Sequence, residues 1–260
     1  MPTVRLTEVP ADVLALILSQ AGPVLKAETL TAGLNSTIAA RIHTPQTTVF
    51  VKGLRADHRR VWTQQAEVDV NPHVRGIAPA LLWRIQAGGW DLLAFEDVAG
   101  RHADYTPASA DLPLVADVIG RLGTIQAPDS IARTMPDRMK DHTDTPQLFA
   151  GNTLLHTDWF PTNVLVAGGR PVVVDWAWAS RGAAWIDAAL WVVWLINCGH
   201  TPAQAELWAA RVPAWHTAPA QSVDAFAGAT VSVWEQITDG ETDPWVHGML
   251  NAARTWNAHR

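Results

Sequence analysis

Two valine-rich runs impose one piece of geometry on this chain. Val164-Leu165-Val166 and Val172-Val173-Val174 are separated by a segment containing Gly168-Gly169. Such runs closed by a glycine pair read as an antiparallel hairpin, because glycine readily takes the positive φ angles of a tight hairpin turn. The pairing makes Asn163 and Asp175 near neighbours at the open end. Asp158 lies five residues before Asn163, on the loop entering that end, and His156 stands where it can brace the loop. A carboxamide oxygen beside a carboxylate offers hard ligands of the kind Mg²⁺ takes together with waters and phosphates. An isolated His-x-Asp is usually loop chemistry, and a lone Asp at a strand end is usually a turn residue. Acidic and amide groups converging on one rim are different: they make poor folding sense unless something positive binds there.

The rest of the chain supplies a two-part frame. Before Gly100 the pattern predicts a helix over Val9–Ala21, stopped by Gly22-Pro23. A hairpin of Thr37–Ile42 and Thr47–Lys52 follows, then a helix from Ala56 to about Val70. Strands Ala80–Gln86 and Trp90–Glu96 flank Gly88-Gly89. After Gly100 helical periodicity dominates, over Leu112–Ile125, Trp185–Asn197, Pro202–Arg211, Ser222–Gln236 and Pro244–Ala258. This is an α+β chain of two lobes, a β-rich lobe over 1–97 with one key helix and a mostly helical lobe over 98–260.

Composition removes several classes. With 48% hydrophobic and 17% charged residues the chain can build a core, so a disordered reading fails. A net charge of −6 without charged blocks argues against a nucleic-acid binder. Cys198 is the single cysteine and cannot form an internal disulfide. The N-terminus lacks a secretory pattern, and the apolar run Ala188–Ile196 is far shorter than the roughly 20 residues that span a bilayer. The expectation is a soluble cytoplasmic protein with no membrane partner. Aromatic usage is skewed: 14 Trp against 5 Phe and 1 Tyr, with eleven of the Trp at or beyond Trp159. Most read as packing, but Trp159, Trp176 and Trp178 flank the polar rim, and indole faces suit sugars, nucleobases and cations.

The segment His156-x-Asp158-x4-Asn163, followed after the hairpin by Asp175-Trp176, resembles the catalytic and metal-binding core of the protein-kinase-like fold. The form is that of aminoglycoside phosphotransferases and related small-molecule kinases. The resemblance implies a bilobal fold, ATP or GTP as phosphoryl donor, Mg²⁺ on Asn163 and Asp175, and Asp158 as the catalytic residue. It also implies partners upstream. Lys52, ending the strand Val49–Lys52, would contact the nucleotide phosphates, and Glu67 would pair with it, with Asp69 as a nearby rival. The loop Thr31–Ser36 would bring Gly33, Asn35 and Ser36 over the phosphates. Leu92–Gly100 resembles the hinge: the backbone of Glu96 to Val98 would meet the purine, with Phe95 behind it. Asp187 would support the catalytic loop.

The match runs from Thr31 to Asp187 and departs from the family in its glycine-poor phosphate loop, in Ala177, and in a short Trp-rich C-terminal region. That region shapes the acceptor site in the family. The acceptor is expected to be a small hydroxylated molecule contacted by Trp159, Trp178 and Arg181. An antibiotic of nucleoside, peptide or aminoglycoside type fits, with resistance by O-phosphorylation as the role. A metabolic kinase for choline, homoserine or a sugar amine keeps the same fold, and so does a nucleotide-binding pseudokinase. A metal hydrolase built on His156 and Asp158 lacks a further ligand cluster.

Overall fold

A computed structural model describes residues 4–30 and 36–260. The chain divides into two compact units, Met1–Ala99 and Gly100–Arg260. The first opens with helix α1 (Ala11–Ala21). Strand β1 (Lys26–Thr29) comes next, followed by β2 (Ile38–His43) and β3 (Thr48–Arg55). Helix α2 (Trp62–Val70) precedes β4 (Leu81–Ala87) and β5 (Trp90–Glu96). The strands form one antiparallel sheet in the order β1-β2-β3-β5-β4.

In α1, Val13 and Ile17 recur at helical spacing and are fully buried with Ile38, Val49, Val51 and Leu92 from the sheet. Each such side chain is worth about 1.5–3 kcal/mol relative to exposure. Gly22, at φ 83°, ends the helix by donating its N–H to the Leu18 carbonyl. Helix α2 starts at Trp62, six residues later than periodicity predicts. The Ala56 amide is committed to the Gly89 carbonyl, and the segment between forms turns such as His58 N–H to Arg55 O. Strand β1 is short and alternates too little to be read from its sequence.

The second unit begins with β6 (Arg101–His102), α3 (Leu112–Leu122) and the short helix α4 (Met135–Met139). Strand β7 (Thr153–Leu155) leads to the hairpin of β8 (Val164–Ala167) and β9 (Arg170–Val173). Strand β10 (Ser180–Gly182) returns to pair antiparallel with β7. Helices α5 (Ile186–Asn197), α6 (Pro202–Ala209), α7 (Ala220–Thr238) and α8 (Pro244–His259) complete it. Helix α5 is buried on most sides, as its apolar sequence requires, with Trp191 and Leu195 fully inaccessible. Trp256 of α8 is fully buried and its indole N–H donates to Glu206 of α6 at 2.8 Å. Phe149, Trp185 and Phe226 pack edge-to-face. Among the described residues no helix is long and apolar enough to cross a membrane.

Candidate active site

The hairpin forms as its sequence dictates, with Gly168 at φ 55° and Gly169 at φ 76°. Its register pairs Val164 with Val173. One step further out, the Val174 N–H donates to the Asn163 carbonyl at 2.9 Å, which brings Asn163 beside Asp175. Asp175 adopts the left-handed region at φ 62°. That conformation is uncommon for a residue with a side chain and typically costs about 1–3 kcal/mol. The Asn163 side-chain N–H donates to the Asp158 carbonyl at 3.2 Å, turning the amide oxygen the other way.

Two buried groups hold the Asp158 loop from below. Asp187, in the first turn of α5, accepts the His156 and Thr157 amides, each at 2.9 Å. Burial pushes the Asp187 carboxyl up and those two amides oppose it. His156 is fully buried and its Nδ1 accepts the Asp158 N–H at 3.2 Å. The ring proton therefore sits on Nε2, which donates to the Val174 carbonyl at 3.0 Å. One imidazole thus couples the Asp158 loop to the strand end carrying Asp175. Its ring packs against Trp159 and edge-on against Trp176.

Asp158 is half-buried. Burial pushes its carboxyl up and the charge of Asp175 pushes the same way, against the Asn163 amide and the Arg138 guanidinium. Two carboxylates are thus kept close, and burial penalises the charge on Asp158.

The acceptor expectations need correction. Trp159 offers no face to a ligand: it is fully buried under the loop. Its position next to Asp158 suggests exposure, but the adjacent residue turns inward. Arg181 is half-buried, and its guanidinium donates to the Pro128 carbonyl at 3.0 Å and pairs with the exposed Asp129. Trp178 is half-buried and the Arg133 guanidinium lies over its ring at 5.0 Å. The sequence reading missed Arg138, which donates from Nη1 to Thr157 Oγ1 and Ser180 Oγ, with the Trp178 carbonyl 3.2 Å away. Nothing in its neighbourhood along the chain marks it.

In the first unit, Lys52 and Glu67 meet at 2.8 Å with both side chains almost wholly inaccessible. Asp69 is engaged by Gln65 instead. The Lys52 ammonium lies 5.8 Å from the Phe95 ring centre. Phe95 is buried, Glu96 accepts the Ala80 N–H through its carboxylate, and Val98 is half-buried. Ser36 is half-buried, whereas Gly33 and Asn35 lie outside the described residues.

No family model matches the chain, and no curated protein does. Solved structures do. Choline kinase LicA from Streptococcus pneumoniae superimposes with a TM-score of 0.68 at 12% identity, covering 96% of this chain and 99% of that one. A thermostable mutant of aminoglycoside phosphotransferase APH(4)-Ia, in ternary complex with AMP-PNP and hygromycin B, gives 0.65 at 16% identity over 95% and 99% of the two chains. The chain has the fold of these small-molecule kinases. A putative aminoglycoside phosphotransferase from Ralstonia eutropha JMP134 has this kinase fold too, with a TM-score of 0.65, 13% identity and coverage of 95% and 96%. The shared fold thus accounts for nearly the whole length of this chain and of these three.

Proposed function

We propose that this protein transfers the terminal phosphoryl group of ATP or GTP to a hydroxyl of a small molecule. The observation that carries the reading is the set at the open hairpin end: Asp158 held by a braced loop, with Asn163 and Asp175 beside it. Mg²⁺ fits this set. The Asn163 amide oxygen is turned away from its own loop, and the charge of Asp175 burdens Asp158, so a divalent cation would relieve both carboxylates. Asn163 and Asp175 would hold the ion, which when bound neutralises charge on the phosphates.

The chain's own groups supply the rest. Lys52, fixed by Glu67, binds the nucleotide phosphates as a compact charge. Ser36 would lie over them, and Phe95, Glu96 and Val98 would receive the base. Asp158 orients the acceptor hydroxyl and takes its proton. Phosphoryl transfer needs positioning and charge neutralisation above all, and this set provides both.

For the acceptor, Arg133 over the Trp178 ring favours a molecule that is not strongly cationic, because a cation already occupies that indole face. We therefore read the acceptor as a hydroxylated antibiotic of nucleoside or peptide type rather than an aminoglycoside or choline. Release of ADP or GDP with a panel of nucleoside, peptide, aminoglycoside and amino-alcohol acceptors tests this. In a folded Asp158→Asn variant kcat should fall by on the order of 10³, about 4 kcal/mol of barrier. Near-normal turnover in that variant would remove Asp158 from the mechanism.

A further inference from the structure

Arg138 on α4 plays no part in the chemistry proposed above, yet it sits among the groups that shape the Asp158 loop. Its Nη1 lies 2.5 Å from Thr157 Oγ1, 3.0 Å from Ser180 Oγ and 3.2 Å from the Trp178 carbonyl. The Thr157 hydroxyl is itself 2.8 Å from the Trp178 carbonyl, and the Ser180 hydroxyl 3.0 Å.

Counting hydrogens closes the network. An Nη1 group has two, and each hydroxyl has one. The two guanidinium hydrogens go to the two hydroxyl oxygens, the shorter contacts, and both hydroxyl hydrogens go to the carbonyl oxygen, which has two lone pairs. Each hydrogen on Nη1 and on the two hydroxyls finds an acceptor, and the direction of these bonds follows from the arginine having nothing to accept with. All three acceptors are neutral, and the charges of Asp158 and Asp187 favour the cation without forming a contact ion pair with it. Burial pushes the Arg138 guanidinium down to about 10, with Arg133 adding to the effect, which still leaves it charged at neutral pH.

Thr157 is the residue that matters. It is β-branched yet lies at φ 66°, in the left-handed region, immediately before Asp158. Two anchors hold it: its amide on Asp187 and its hydroxyl in the Arg138 network. We propose that Arg138 is a positioning residue that locks Thr157 in this conformation and thereby presents the Asp158 carboxylate. Its functional consequence rests on the phosphotransfer reading; the lock itself does not.

Amide hydrogen exchange, read by mass spectrometry on the full chain, tests the lock without an acceptor. In Arg138→Met the segment Leu154–Phe160 should exchange at least about 10-fold faster, while α7 and α8 stay within about twofold of the parent. Arg138→Lys, which keeps the charge and the donors, should recover most of the protection. Thr157→Val should loosen the segment by itself, and adding Arg138→Met to it should then change little, because the two residues act as one unit. Unchanged protection in Arg138→Met, or loosening spread equally over α7 and α8, overturns the proposal. If Arg138→Met fails to fold, unchanged exchange in Thr157→Val overturns it instead. Hydrolysis of Mg-ATP supplies the functional arm: kcat should drop at least about 10-fold in Arg138→Met with the KM for ATP within about threefold. A parent protein that turns over no ATP counts against phosphotransfer, and the exchange result still decides the lock.

Discussion

Replacing Lys52 by Met exposes what the pair in the first unit contributes. The two charges lie 2.8 Å apart with 9% and 4% of their side chains accessible. At an effective dielectric of about 20 their attraction is about 6 kcal/mol, but removing each ion from water costs several kcal/mol, so the intact pair adds little net stability. Deleting one end is different, because Glu67 is left buried without its ammonium. The loss has a ceiling, since the carboxyl can take up a proton. Holding a group of ordinary pKa about 4.3 protonated at pH 7 costs about 1.4 kcal/mol per unit, about 3.7 kcal/mol in all. Lys52→Met should therefore lose about 3–4 kcal/mol at pH 7 and only about 1 kcal/mol at pH 5.

The sign follows from proton uptake. In the variant the folded chain binds a proton at Glu67 that the unfolded chain does not, so folding gains as pH falls and loses as it rises. Urea unfolding followed by circular dichroism at both pH values measures this. The double variant Lys52→Met/Glu67→Leu should return to within about 1.5 kcal/mol of the parent at pH 7. A loss in Lys52→Met that is equal at pH 5 and pH 7, or absent at pH 7, would refute the reasoning.

Two further outcomes follow from the second unit. Asp111 is buried and accepts both ends of the Arg101 fork and the Asp104 N–H. The Arg101 guanidinium holds its carboxyl below the usual range, so its stabilisation is present above about pH 4 and is lost as pH falls through the lowered value. Asp111→Asn should lower Tm at pH 7 and differ less from the parent near pH 3, and a difference independent of pH would contradict this. Gly151→Ala should destabilise by at least about 2 kcal/mol in urea unfolding. Its Cβ would press on the Gly182 carbonyl oxygen and lie 2.7 Å from the Ala183 Cα, and backbone cannot rotate aside.

The parts of the fold that could be read in advance have a local period or a turn signal. The hairpin of Val164–Ala167 and Arg170–Val173 carried both, and it alone brings Asn163 to Asp175. Lys52 and Glu67 were legible only through the resemblance, which pairs a strand lysine with a glutamate of the next helix; the strand itself does not end at Lys52 but runs on to Arg55. What escaped has no such signal. Thr153–Leu155 and Ser180–Gly182 are three residues each, too short to show alternation, and their pairing is decided by packing. Arg138 escaped because its partners are neutral hydroxyls and a carbonyl, with no charge pattern to betray them. Trp159 misled because adjacency to Asp158 says nothing about which way a side chain turns.

The Asp187 anchor also bears on the order of assembly. The carboxylate that holds the loop lies only 31 residues beyond His156, and the Arg138 contacts reach forward 40 and 42 residues. Contacts of this range close early and at modest entropic cost. A nascent chain can therefore complete the Asp158 loop as soon as the start of α5 has been synthesised. On that order, errors in the later docking of α7 and α8 should leave the local structure of the loop intact.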